Sequence, residues 1–190
     1  MKVIAFNGSA RKNGNTRLLL DTVLKQLEKE GINTELVWLG SEPLSGCQAC
    51  YKCLKSKNGR CSQDDVLNFY LEKMLESDGI ILGSPTYFAD VSASMKALIE
   101  RCGMVSRVNG DMLKRKIGAG VVAVRRAGSY HVFSSLNAFF LIGQMIVVGS
   151  SYWNLGIGKD PGDVSGDSEG MKTMEDLGKN MAWVLKKTAL

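Results

Sequence analysis

Residues 2–16 read Lys2-Val3-Ile4-Ala5-Phe6-Asn7-Gly8-Ser9-Ala10-Arg11-Lys12-Asn13-Gly14-Asn15-Thr16. A short apolar run over residues 2–6 passes straight into a Gly-bearing turn. A helical pattern follows over residues 13–30, with Leu18, Leu19, Val23, Leu24 and Leu27 on one face and Gly31 at its end. The order is buried strand, tight turn, helix, which opens a strand–helix–strand unit. The turn is rich in groups that donate to phosphate oxygens: the Ser9 and Thr16 hydroxyls, the Asn15 amide and the Arg11 guanidinium. Glycines let the backbone approach a ligand closely, and a helix N-terminus favours an anion. The segment has neither G-x-x-x-x-G-K-[ST] nor G-x-G-x-x-G, so neither a P-loop NTPase nor a dinucleotide site is expected.

Outward from this stretch the same alternation continues. Residues 34–39, 79–82, 117–124 and 145–148 read as further strands. Residues 64–76, 92–102, 131–142 and 168–187 read as helices, and residues 40–62 and 150–166 as irregular segments. Five apolar strands separated by helices predict an α/β fold: a doubly wound, five-stranded parallel sheet with helices on both faces. In such a sheet, ligands bind at the carboxyl ends of the strands. The 190 residues are expected to form a single domain, 1–190.

The composition narrows the class. Apolar residues make up 45% and charged residues 23%, as in ordinary soluble proteins. No apolar run is long enough to span a bilayer, and the N-terminus reads as a strand rather than a signal peptide, so a cytoplasmic location without a membrane partner is expected. The net charge is +5 with the basic residues dispersed, so no nucleic-acid partner is expected. His131 is the single histidine, which excludes a metal site built from several imidazoles.

The second informative feature is the run Cys47, Cys50, Cys53 and Cys61, spaced C-x2-C-x2-C-x7-C inside the long segment after the second strand. Long loops in compact domains are usually functional. Four thiolates suit a closed zinc site. Closely spaced C-x2-C units also occur in iron–sulfur motifs. Cys102 stands apart and reads as a small buried apolar residue.

Three segments carry a resemblance to a known family. Gly8-Ser9-x-Arg11-x-x-Gly14-Asn15-Thr16 resembles the FMN phosphate loop of flavodoxin-like NAD(P)H-dependent FMN reductases. Gly83-Ser84-Pro85-Thr86-Tyr87-Phe88, followed by Val91-Ser92-Ala93 and Met95-Lys96, resembles the segment that wraps the isoalloxazine ring in that family. Val124-Arg125-Arg126-Ala127-Gly128 stands where the family has a third flavin-contacting loop, with a single glycine in place of the usual Gly-Gly. The cysteine run resembles that of the iron–sulfur flavoproteins, the branch that carries FMN and a [4Fe-4S] cluster.

The resemblance implies a flavodoxin-like fold and FMN held by Ser9, Arg11, Asn13, Gly14, Asn15, Thr16, Ser84, Pro85, Thr86, Tyr87, Phe88, Arg125 and Gly128. It implies a [4Fe-4S] cluster on Cys47, Cys50, Cys53 and Cys61, and a homodimer or homotetramer. The expected function is FMN-dependent electron transfer from NAD(P)H or a ferredoxin-like donor to a small-molecule or protein acceptor. FMN carries the chemistry, so no catalytic side chain is assigned. Two alternatives stand beside it: an FMN or quinone reductase without a cluster, and a zinc-stabilised binding module on the same scaffold.

Overall fold

The computed structural model describes residues 1–188. The elements in chain order are β1 (Lys2–Asn7), α1 (Asn15–Lys29), β2 (Asn33–Trp38), α2 (Lys52–Ser56), α3 (Leu67–Leu75), β3 (Gly79–Pro85), α4 (Ala93–Val108), β4 (Ile117–Val124), α5 (Ser129–Ile142), β5 (Ile146–Val147), β6 (Leu155–Ile157) and α6 (Ser168–Thr188). The sheet order is β2-β1-β3-β4-β5, with every pairing parallel. This is the expected doubly wound α/β fold.

Side-chain alternation along the strands explains the two-faced covering. On β1, Val3 and Ala5 point to the cluster formed with α1 and α6, where Leu19, Val23, Leu27, Met174, Leu177 and Met181 are buried. Ile4 and Phe6 point to the opposite cluster, formed with α3, α4 and α5. On β4, Ile117, Ala119, Val121 and Ala123 face the α1/α6 side. Gly118 on the other face lets α5 sit close: a Cβ there would lie 2.6 Å from Phe140.

The structure differs from the sequence expectation in three places. The fifth strand position is filled by two short strands, β5 against the start of β4 and β6 against its end. The chain leaves the sheet between them, with Gly149, Ser151, Tyr152 and Trp153 exposed while Val148 and Asn154 stay buried. Asn154 closes the gap, donating its side-chain amide to the Gly120 carbonyl at 3.0 Å and accepting from the Val122 N–H at 2.9 Å. Residues 150–166 were expected to be irregular, yet β6 lies among them, because tertiary pairing with β4 orders a segment that has no periodicity of its own. The cysteine segment, expected to be loop throughout, contains the short helix α2. α4 runs on to Val108, past Cys102, because Gly103 faces the Phe139 ring and is tolerated inside the helix. No helix among the described residues is long and apolar enough to cross a membrane.

Candidate functional site

The turn after β1 is held by the strand beside it. The Gly8 N–H donates to the Gly83 carbonyl at 2.8 Å, and Trp38 Nε1 donates to the Ser9 carbonyl at 2.7 Å. The N-cap of α1 is Gly14, and no side chain caps the helix. By contrast, α4 is capped by the Ser92 hydroxyl, which accepts from the Met95 N–H at 3.3 Å. The start of α1 therefore leaves first-turn N–H groups without a side-chain acceptor, which is how a fold keeps a helix end ready for an anion.

That helix end opens on a cavity of about 150 Å³ at the carboxyl ends of the strands. Its walls come from four separate turns: Ser9, Arg11, Gly14, Asn15 and Thr16; Pro85, Thr86 and Tyr87; Ala123 and Arg125; and Gly158 and Lys159. The topology thus brings together eight of the thirteen residues expected around FMN, namely Ser9, Arg11, Gly14, Asn15, Thr16, Pro85, Thr86 and Tyr87, and Arg125 makes a ninth. Arg11 is exposed, and its guanidinium touches only the Lys159 carbonyl, at 3.3 Å. Asn15 directs its side-chain oxygen to the Gly162 N–H at 3.0 Å, which leaves its amide nitrogen as the group with donating capacity.

The other four expected residues sit elsewhere. Ser84 is fully buried, donates to the Pro85 carbonyl at 2.8 Å and accepts from the Ser92 N–H at 3.0 Å, so it braces the turn from behind. Asn13 is exposed beside the cavity. Gly128 caps α5 at φ +87° and backs the segment Thr86–Ala89; a Cβ there would lie 3.2 Å from Ala89. Phe88 is fully exposed at the tip of a tight turn in which Tyr87 and Asp90 exchange backbone hydrogen bonds at 3.0 and 3.1 Å. Phe88 and Ala89 both adopt the left-handed region, at φ 49° and 61°. Such conformations cost non-glycine residues about 1 kcal/mol or more each and concentrate at ligand sites. Next to this turn, the Thr86 hydroxyl is buried with no hydrogen-bond partner.

The cysteine segment forms a second site, against α4. Cys47, Cys50, Cys53 and Cys61 all line one small cavity, together with Gln63, Arg101, Met104 and Val105. Cys47 and Cys50 are exposed, Cys61 is half-buried and Cys53 is buried. Ala49 and Tyr51, on either side of Cys50, are left-handed at φ 49° and 55°, which bends the run around the cavity. The Ser62 hydroxyl and the Lys52 N–H, set against the thiol, lower the Cys50 pKa from its ordinary value. Burial raises that of Cys53, and the charges of Cys61 and Cys50 act in the same direction. Among the described residues, no three His, Cys, Asp or Glu side chains are placed to hold a single metal ion.

Helix α4 anchors this segment through residues the sequence reading did not single out. Glu100 accepts from the Cys47 N–H at 3.3 Å. Arg101 reaches Asp65, Cys61 and the Ser45 carbonyl. Asn109 accepts from the Gly59 N–H at 3.1 Å. Asn68 on α3 accepts from the Cys61 N–H at 2.8 Å and donates to its carbonyl at 3.0 Å. In the sequence these are polar residues on amphipathic helices, and nothing local distinguishes them from solvated ones. Cys102 is buried as expected, and burial raises its thiol pKa well above the ordinary value.

A model of the NADPH-dependent FMN reductase family matches residues 1–160. The chain belongs to this family. An iron–sulfur flavoprotein of Methanocaldococcus jannaschii is 42% identical over 98% of this chain and 98% of its own length. An iron–sulfur flavoprotein of Methanosarcina thermophila is 32% identical over 98% of this chain and 96% of its own. This places the FMN reductase family member in the iron–sulfur flavoprotein branch. Among solved structures, RosB with bound 8-demethyl-8-formylriboflavin-5'-phosphate superposes with a TM-score of 0.76 at 22% identity, covering 99% of this chain and 81% of RosB. The NAD(P)H:quinone oxidoreductase of Methanothermobacter marburgensis gives 0.71 at 15% identity, covering 95% and 96% of the two chains. At these identities the likeness shows the fold. The family makes the protein an FMN-dependent oxidoreductase.

Proposed function

We propose that this protein is an electron-transfer flavoprotein that holds FMN in the strand-end cavity and a [4Fe-4S] cluster on Cys47, Cys50, Cys53 and Cys61. The observation that carries the FMN placement is the cavity itself: an uncapped helix end, an arginine without a carboxylate partner and an orphaned buried hydroxyl all border one space. Arg11, Lys159 and the start of α1 would take the phosphate. Pro85, Thr86 and Tyr87 would border the ring, and Arg125 would place a positive charge beside it. Ser84 and Gly128 hold this wall in shape from behind. When bound, FMN would supply two-electron chemistry toward a donor such as a reduced nicotinamide, and a cluster on the four cysteines would supply one-electron exchange.

The four thiols share one cavity, a donor set open to a cluster or to zinc. The choice of a cluster rests on the relatives. The relatives that match along nearly their whole length are iron–sulfur flavoproteins. Self-association would use the face between α4 and α5, where an apolar groove of about 810 Å³ lies beside the exposed Leu141 and Ile142; a second copy of the chain would cover it.

The test is one anaerobic preparation. Absorbance, FMN content, iron, labile sulfide and zinc are measured together, then oxidation of NADH and NADPH. FMN with about four irons and four sulfides per chain is expected. Yellow, iron-free protein that oxidises NAD(P)H would support the cluster-free reductase. Stoichiometric zinc without flavin would overturn the proposal.

A further inference from the structure

We infer that Arg101 is a positioning residue for the centre held by the four cysteines, donating an N–H to the Cys61 sulfur and setting the reduction potential there. This rests on the cluster reading above. Arg101 lies on α4 with its side chain fully buried. One terminal nitrogen donates to Asp65 at 2.5 Å and to the Ser45 carbonyl at 3.1 Å. The other donates to Asp65 at 2.9 Å and to the Cys61 Sγ at 3.3 Å. Its Nε is buried and has no partner. The side chain forms part of the cysteine cavity wall and is the one arginine that does so.

A buried ion pair is a poor way to stabilise a fold, since apolar side chains of like volume often do as well. What an apolar side chain cannot supply is a charged N–H directed at a cysteine sulfur. Hydrogen bonds to the sulfurs, local charge and solvent exposure are what tune iron–sulfur potentials. The reduced centre carries one more negative charge than the oxidised one, so a nearby guanidinium stabilises the reduced form and raises the potential. Asp65 works in the opposite direction while it holds the guanidinium fork in place. The same arginine ties residue 45, ahead of the first cysteine, to residue 61, the last, so it fixes both ends of the run against α4.

The experiment is an EPR-monitored redox titration of anaerobically loaded wild type, Arg101→Met, Arg101→Lys and Asp65→Asn, with iron and sulfide counted in each. Arg101→Met is expected to lower the reduced-to-oxidised ratio at fixed potential about tenfold, equivalent to roughly 59 mV for one electron. Arg101→Lys keeps the charge and is expected to recover part of the shift. Asp65→Asn is expected to move the potential the opposite way. A clamp with a structural role alone would give equal midpoints at full loading, or shifts of one sign in both variants; either result overturns the inference. Should the variants fail to fold, wild type grown on ¹⁵N-arginine decides: the reduced centre is expected to show a ¹⁵N hyperfine coupling, and its absence at normal iron content overturns this inference alone. Wild type free of iron and sulfide overturns the cluster reading and this inference with it.

Discussion

Arg11→Ala is the most direct test of where the phosphate of FMN sits. Arg11 is exposed at the cavity mouth, and its guanidinium donates to the Lys159 carbonyl at 3.3 Å. A charge-assisted hydrogen bond is worth about 1.5–3 kcal/mol. Two features place Arg11 in the lower half of that range. It is screened by solvent, and Lys159 and Arg125 in the same wall remain as cations. A loss of about 1.5–2 kcal/mol corresponds to roughly 10- to 30-fold weaker FMN binding. The backbone is untouched, because Arg11 makes no packing contact that Ala would empty into the core. The assay is titration of flavin-free protein by calorimetry, with riboflavin as the control ligand. Riboflavin has no phosphate, so its affinity is expected to change less than twofold. Arg11→Lys should fall between, keeping the charge and losing the planar fork. Raising the salt concentration should shrink the Arg11→Ala effect, since the charge is exposed. Equal losses for FMN and riboflavin, or no loss for FMN, would refute the assignment of this loop to the phosphate.

Further outcomes follow from the same structure. Thr86→Val removes the orphaned hydroxyl while keeping the branched shape, so the flavin-free protein should gain about 1 kcal/mol, or ~2–4 °C in Tm for a chain of this size; a lower Tm would show that the hydroxyl already has a partner. Gly128→Ala forces a Cβ into the left-handed region within 3.2 Å of Ala89 and should cost about 1–3 kcal/mol in urea unfolding, with weakened FMN binding. Asp65→Asn leaves the buried Arg101 without its counter-ion and should cost about 2–3 kcal/mol at neutral pH. Burial opposes the charge on Asp65, but the Arg101 and Leu67 donors outweigh it and hold the carboxyl below its ordinary value. A lowered folded pKa contributes stability that is present above the unfolded value of about 3.9 and is lost as pH falls through the folded one. The Tm gap between wild type and Asp65→Asn is therefore expected to be full at pH 6–7 and to close below about pH 4; a gap that widens in acid would contradict the assignment.

The sequence by itself determined the sheet and the Gly-bearing turn that follows its first strand. Short-range signals were enough, because strand alternation, helical spacing and the Gly-flanked turn after β1 are properties of neighbours in the chain. Val3, Ile4, Ala5 and Phe6 are legible as one continuous apolar run, and the structure divides them between the two faces. The four cysteines are legible as a spacing. Tertiary structure decided what those signals leave open. β6 is three residues with no pattern of its own, ordered by pairing with Val122–Val124 across more than thirty residues of chain. Gly158 and Lys159 enter the cavity wall only because β6 returns to the edge of β4. Ser84 and Gly128 belong to motifs that match the family, yet the fold turns them into braces behind the wall. Arg101 reads as an ordinary helix cation until the cysteine segment folds over it. Its partners at residues 45, 61 and 65 are 56, 40 and 36 positions away, and burial at such separations is set by how layers stack rather than by local sequence.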